Sequence, residues 1–322
     1  MRLQSVTRVL FAFCLGLSLL AHSAAHSQQY PATARIANLR LWPGVAPGSE
    51  NGPKEIKYSV YGNQGHRVFW SIATPLVAGF YAANPNGAAM LIIPGGGYQS
   101  LYVDAPPIDV AHWLNTLGVD AFVLMHRLPE EGHIRGYNVP LQDAQRAMRL
   151  IRSGSFLEGS GHRLDPARIG VMGFSAGGHL AAVLGTYHDE KVYEPVDAAD
   201  AVSARPDFMI LGYPALAMPP TLTASVMPNY YRMYQKFYIN DRITSSSPPT
   251  FVFHGEKDSD VPYLVSVRLT DALRSAGAPV ELHVFPGAGH GFGLNGKGPE
   301  AAWPDLCAAW MRARGILPPV RQ

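Results

Sequence analysis

Six short runs of unbroken apolar residues, separated by stretches of helical periodicity, restrict the folds open to this chain more than any other feature. The runs are Ala88–Pro94 (AAMLIIP), Asp120–His126 (DAFVLMH), Arg168–Phe174 (RIGVMGF), Asp207–Tyr213 (DFMILGY), Thr250–Gly255 (TFVFHG) and Val280–Gly287 (VELHVFPG). A strand with one wet face alternates apolar and polar residues; these do not, so they read as strands covered on both faces. Between them Val110, Trp113, Leu114 and Leu117 recur at threes and fours. So do Leu141, Ala144, Met148 and Ile151, and then Val265, Leu269, Ala272 and, beside it, Leu273. Near the C-terminus, Pro304 suits the first turn of a helix with Trp303, Leu306 and Trp310 on one face. Parallel neighbours need a crossover, so the alternation predicts an α/β fold, a mostly parallel sheet with helices on both faces in one domain. It breaks once, at about residues 214–247, where Pro219–Pro220 and the aromatic segment Pro228–Tyr238 (PNYYRMYQKFY) suggest a small cap-like insert.

The start of the chain reads differently. Arg2 and Arg8 precede the apolar run Val9–Ala21, and small residues follow between Ser23 and Ser27. A cationic n-region, a short h-region and a small-residue cleavage zone predict a signal peptide over residues 1–27, hence an exported protein, periplasmic or extracellular. The run is well short of the ~20 residues that span a bilayer, so no stable membrane insertion is expected. Removing residues 1–27 takes away two of the 26 cations and none of the 24 anions, leaving 24 against 24. A neutral balance gives no reason to invoke nucleic acid as a partner. Cys14 leaves with that segment, so Cys307 stands alone, and neither an intramolecular disulfide nor a Cys-ligated zinc is expected. The remaining residues, about 295, suffice for a core that carries the fold unaided.

The chemistry gathers at the ends of the apolar runs. Gly173-Phe174-Ser175-Ala176-Gly177 lies directly between the run IGVM and the helix-like GHLAAVLG. A serine on a strained strand-to-helix turn is held exposed, where a histidine can take its proton and the helix N-terminus favours negative charge. After AAMLII comes Pro94-Gly95-Gly96-Gly97-Tyr98. Glycines there let the backbone N–H groups of Gly96 and Gly97, with that of Ala176, approach a developing oxyanion. No Gly-Lys-Ser/Thr follows and no Gly-x-Gly-x-x-Gly occurs here, which argues against nucleotide binding and a nucleotide cofactor. After VELHVFPG, His290 sits among small residues as the candidate base. After TFVFHG, three carboxylates compete to orient it: Glu256, Asp258 and Asp260. His126, His179, His254 and His283 fall inside strand or helix patterns and read as structural, and the absence of His-Glu-x-x-His argues against a catalytic metal.

These residues together resemble the α/β-hydrolase superfamily, and within it the secreted esterases grouped with acetylxylan esterases and the hormone-sensitive-lipase-like carboxylesterases. The resemblance runs from LWPGVAPG (Leu41–Gly48) through PGGGY, HRLP (His126–Pro129), LQDAQRAMRLIR (Leu141–Arg152), IGVMGFSAGGH (Ile169–His179) and HGEKDSDVP (His254–Pro262) to GAGHGFG (Gly287–Gly293). It implies that the acid is the Asp opening Asp-x-x-Val-Pro, which maps onto Asp258. Two positions depart from the common pattern. Pro94 stands where many hormone-sensitive-lipase relatives have His, which implies a sugar ester rather than a lipid ester, and His126 stands where Tyr commonly precedes the Arg. The resemblance implies a serine esterase without cofactor or metal, acting on a small-molecule or polysaccharide ester such as acetylated xylan. Tyr98 and, among the insert's Tyr230, Tyr231, Tyr234 and Tyr238, foremost Tyr231 and Tyr234 are candidate sugar contacts, with packing of the insert on the core as a helix stripe the stronger reading. The rival readings are an exopeptidase of the prolyl-oligopeptidase type, a general carboxylesterase or lipase, and a catalytically silent binding protein.

Overall fold

A computed structural model describes residues 36–158, 160–216 and 228–319. The expected signal peptide and Pro219–Pro220 lie outside the described residues. In chain order the strands are β1 (Ile36–Arg40), β2 (Lys57–Tyr61), β3 (His66–Trp70), β4 (Leu76–Phe80), β5 (Ala89–Ile93), β6 (Leu101–Tyr102), β7 (Asp120–Met125), β8 (Ile169–Phe174), β9 (Met209–Gly212), β10 (Thr250–Gly255) and β11 (Val280–Phe285). The α-helices are α1 (Asp109–Thr116), α2 (Val139–Arg152), α3 (Ala176–Thr186), α4 (Pro228–Lys236), α5 (Leu264–Ser275) and α6 (Trp303–Ala313). Among the described residues, no helix is long and apolar enough to cross a membrane.

All six apolar runs form strands of one sheet, ordered β1-β4-β7-β5-β8-β9-β10-β11. From β7 to β11 the pairings are parallel, and β4 and β1 extend the edge antiparallel. β5 explains why such runs need no polar alternation. Ala89, Leu91 and Ile93 join the core on one face with residues of α2, α3 and α5, while Met90 and Ile92 join the core on the other with residues of α1 and α6. β11 departs from the expectation of two covered faces: it is the edge strand, and five of its six residues stay at least partly exposed. Apart from this sheet, β2, β3 and β6 form a small antiparallel sheet that the sequence reading did not anticipate.

In a parallel array the C-terminal strand ends share one edge, which is where open α/β sheets bind ligands. The loops holding Gly96, Ser175, Asp258 and His290 follow β5, β8, β10 and β11, and so meet along that edge.

A buried ion pair ties together three sequence-distant segments. The side chains of Arg127 and Asp143 are both 0% exposed, and their closest contact is 2.8 Å. Arg127 also donates to Pro47 O, Ser49 Oγ and Gln142 Oε1, and Trp42 Nε1 donates to Asp143. The motifs LWPGVAPG, HRLP and LQDAQR thus meet at one fully bonded charge pair. His126 is buried beside it, with Nδ1 hydrogen-bonded to Arg127 O.

Candidate active site

Ser175 occupies the turn between β8 and α3 with φ +54° and ψ −122°, a left-handed conformation costing a side-chain-bearing residue about 1–3 kcal/mol. Neighbouring backbone holds it there. Its N–H donates to Gly212 O, and its carbonyl accepts from the N–H groups of His179 and Ala215. The close approach of Gly177 explains the motif's last glycine: a Cβ there would lie 2.3 Å from Ile93 O and 2.4 Å from Pro94 O.

From Ser175 a hydrogen-bonded series runs inward. Ser175 Oγ lies 2.9 Å from His290 Nε2, and His290 Nδ1 lies 2.6 Å from Asp258 Oδ2. With Nδ1–H donating to the carboxylate, Nε2 is left to accept the serine proton. Of the three competing carboxylates, only Asp258 is buried; Glu256 and Asp260 are exposed. The other Asp258 oxygen, Oδ1, accepts the N–H groups of Asp260 and Val261. Burial opposes the Asp258 charge, but hydrogen bonds from His254 and His290, the charge of His290 and the Val261 amide outweigh it and hold the carboxyl well below the usual carboxylate range.

His254 has more than the packing role its place in β10 suggests. It is fully buried, and its Nε2 lies 3.1 Å from the same Asp258 Oδ2 and 2.9 Å from Val261 O. Two acceptors around Nε2 require a proton on it, and Nδ1 then accepts from Ser266 Oγ at 2.8 Å. The sequence signal was a histidine one residue from the end of a strand and four residues before the acid.

A cavity of about 470 Å³ opens over Ser175 and His290. Gly95, Gly96 and Gly97 line it, so the glycine loop lies beside the serine as expected, and Ala176 follows Ser175 as the first residue of α3. Gly96 has φ +132°, and a Cβ there would meet Ser100 O at 2.0 Å; only glycine permits the loop's return. Asp260, Gln99, Tyr61 and Tyr102 also line the cavity, none of them anticipated from sequence as substrate contacts.

The three candidate sugar contacts fall elsewhere. Tyr98 is 2% exposed, hydrogen-bonded through its hydroxyl to His179 Nδ1 at 2.8 Å and stacked on Tyr230 with ring centroids 6.3 Å apart. It fastens the glycine loop to α3 and α4 rather than facing the cavity. Burial pushes His179 down to about 4, so the ring between them is neutral. Tyr231 and Tyr234 are half-buried on α4, and neither lines the cavity. The reason is helical spacing: Tyr230, Met233 and Phe237 are the residues turned into the core, and Tyr234 packs against them. The described part of the insert is therefore laid on the core.

Comparison with known proteins places these features in a family. Residues 88–211 match the BD-FAE model, and residues 150–312, half of the chain, match the prolyl oligopeptidase family model. An acetylxylan esterase of Xylanibacter ruminicola is 28% identical over 226 residues, covering 67% of this chain and 43% of that protein. Endo-1,4-beta-xylanase B of Butyrivibrio fibrisolvens is 31% identical over 210 residues, covering 63% and 32%. The chain thus spans less than half the length of these two relatives. The crystal structure of an acetyl ester-xyloside bifunctional hydrolase from Caldicellulosiruptor lactoaceticus is 29% identical, with a TM-score of 0.64 over 88% of this chain and 98% of that one. With a serine at the strand-to-helix turn, a glycine loop beside it and acid and histidine after the last two parallel strands, the chain belongs to the prolyl oligopeptidase family of the α/β-hydrolases.

Proposed function

We propose that this protein is a serine carboxylic ester hydrolase that removes short acyl groups, acetyl foremost, from a plant polysaccharide such as xylan. The observation that carries the proposal is the hydrogen-bonded series Ser175–His290–Asp258 at a strained turn beside the glycine loop. Ser175 attacks the ester carbonyl as His290 takes its proton. The amides of Ala176, Gly96 and Gly97 stabilise the tetrahedral oxyanion, and His290 then protonates the leaving alcohol. Water repeats the sequence on the acyl-enzyme. Asp258 stays ionised, holds the imidazole in the productive tautomer and stabilises the imidazolium.

The names of the relatives support the acetyl-xylan substrate. The N-terminal pattern of residues 1–27 supports export to the periplasm or beyond, leaving residues 28–322 as one hydrolase domain. An ester panel tests the function. Acetate release from acetylated xylan and fast hydrolysis of aryl acetate, with slow hydrolysis of long-chain esters, is expected. Cleavage of a dipeptide amide in their place would establish the exopeptidase reading, and failure of a fluorophosphonate to label Ser175 would leave a non-catalytic binding protein.

The acid is tested separately. On an aryl acetate, Asp258→Asn lowers kcat roughly 10⁴-fold, because an amide can present its NH₂ to His290 and favour the wrong tautomer. Asp260→Asn costs less than about tenfold, since the exposed Asp260 side chain lies outside the series. The opposite order of losses transfers the role to Asp260.

A further inference from the structure

The small sheet β2-β3-β6 has no part in the proposed chemistry, yet it reaches the cavity. Tyr61 on β2 pairs with His66, and Tyr102 on β6 pairs with Val68. His66 and Val68 are two apart on β3, so both tyrosines lie on one face of the sheet. Their rings meet edge to face at 5.0 Å, Tyr102 is 38% exposed, and both line the cavity that holds Ser175.

We propose that Tyr61 and Tyr102 form the wall against which the sugar ring of a neutral saccharide ester stacks, with Asp260 accepting hydrogen bonds from its hydroxyls; this rests on Ser175 being the ester-cleaving nucleophile. An aliphatic alcohol would be served by the aromatic faces alone. It would leave unused the amide, hydroxyl and carboxylate side chains of Gln99, Ser100 and Asp260, which line the same cavity and which a polyhydroxyl ring can hydrogen-bond. An anionic alcohol is disfavoured for a different reason. Asp260 is a fixed negative charge on the wall, and among the described residues no lysine or arginine lines the cavity. A volume of about 470 Å³ falls in the range that accommodates a small ligand.

The test compares kcat/KM for acetylated xylotetraose with that for aryl acetate, as a ratio. Tyr61→Leu and Tyr102→Leu are each expected to lower the ratio about tenfold, while Tyr61→Phe and Tyr102→Phe, which keep the ring, hold it within about threefold of wild type. A ratio unchanged in both leucine variants overturns the proposal. Independently of any variant, unacetylated xylotetraose is expected to inhibit aryl-acetate hydrolysis competitively, and an oligogalacturonate at equal concentration is not. Equal inhibition by the two, or none by xylotetraose, overturns it as well. Wild-type protein that cleaves aryl acetate but not acetylated xylotetraose defeats the saccharide wall and the xylan substrate while leaving the ester-hydrolase chemistry of Ser175 standing. Wild-type protein that cleaves neither defeats the ester-hydrolase function and the wall with it.

Discussion

Ser175→Ala lowers kcat on a short-chain aryl acetate by about 10⁵- to 10⁶-fold, the scale seen when a serine hydrolase loses its nucleophile while its oxyanion site stays in place. The loss is this large because no other hydroxyl replaces Oγ at 2.9 Å from His290 Nε2. The fold survives, since the turn is held by backbone groups and by glycine contacts that alanine at 175 leaves alone. Alanine must still adopt φ +54°, so the strain of the turn is neither relieved nor deepened. A steady-state assay with an active-site titration checks the prediction, with a melting curve as control. Residual activity within about tenfold of wild type would remove Ser175 from the mechanism.

The largest expected effect on stability lies at Arg127 and Asp143. Asp143→Ala strands the guanidinium of Arg127 in a fully buried position and removes the acceptor of Trp42 Nε1. Breaking one side of a buried pair costs about 3–5 kcal/mol, because the remaining charge has neither water nor counter-ion. For a domain of this size that is a fall in Tm on the order of 10 °C. The double variant Arg127→Met with Asp143→Leu is expected to recover part of the loss, since it buries no charge, although Trp42 Nε1 and Gln142 Oε1 still lose their partners. Thermal or urea unfolding of the three proteins decides the matter. A single-variant cost below about 1 kcal/mol, or a double variant worse than the single, contradicts it.

β5, β7, β8, β9 and β10 were legible because burial on both faces removes polar alternation, and that leaves an unbroken run in the sequence, whereas β11, at the sheet edge, keeps Glu281 and His283 among its apolar residues. The antiparallel part was not. KYSVY and HRVFW on β2 and β3 are short and mixed, and they become strands through pairing with each other and with two residues of β6. The main site was legible for a related reason. Ser175, Gly96 and His290 are fixed by local backbone demands at strand ends, and those demands leave glycines beside them. Local reasoning left Glu256, Asp258 and Asp260 tied, because the decision depends on which carboxylate folds under the amides of residues 260 and 261. The substrate wall was missed entirely. Tyr61 reaches the cavity through a register set some forty residues downstream, whereas the tyrosines of the insert, conspicuous in the sequence, answer to the helical period of α4.

The return of the glycine loop has a consequence for how such a protein can change over generations. The amides of Gln99 and Ser100 donate to Gly96 O, and Tyr102 N donates to Gly95 O, so β6 begins before the loop has ended. Variation in residues 98–102 is therefore felt at once by the loop that lines the reaction cavity, and selection on turnover constrains it. The hairpin of β2 and β3 reaches the cavity through Tyr61 but takes no part in the return of the glycine loop, and so is free of that constraint. New alcohol preferences are expected to arise first by drift in residues 57–70, with the machinery around Ser175 unaltered.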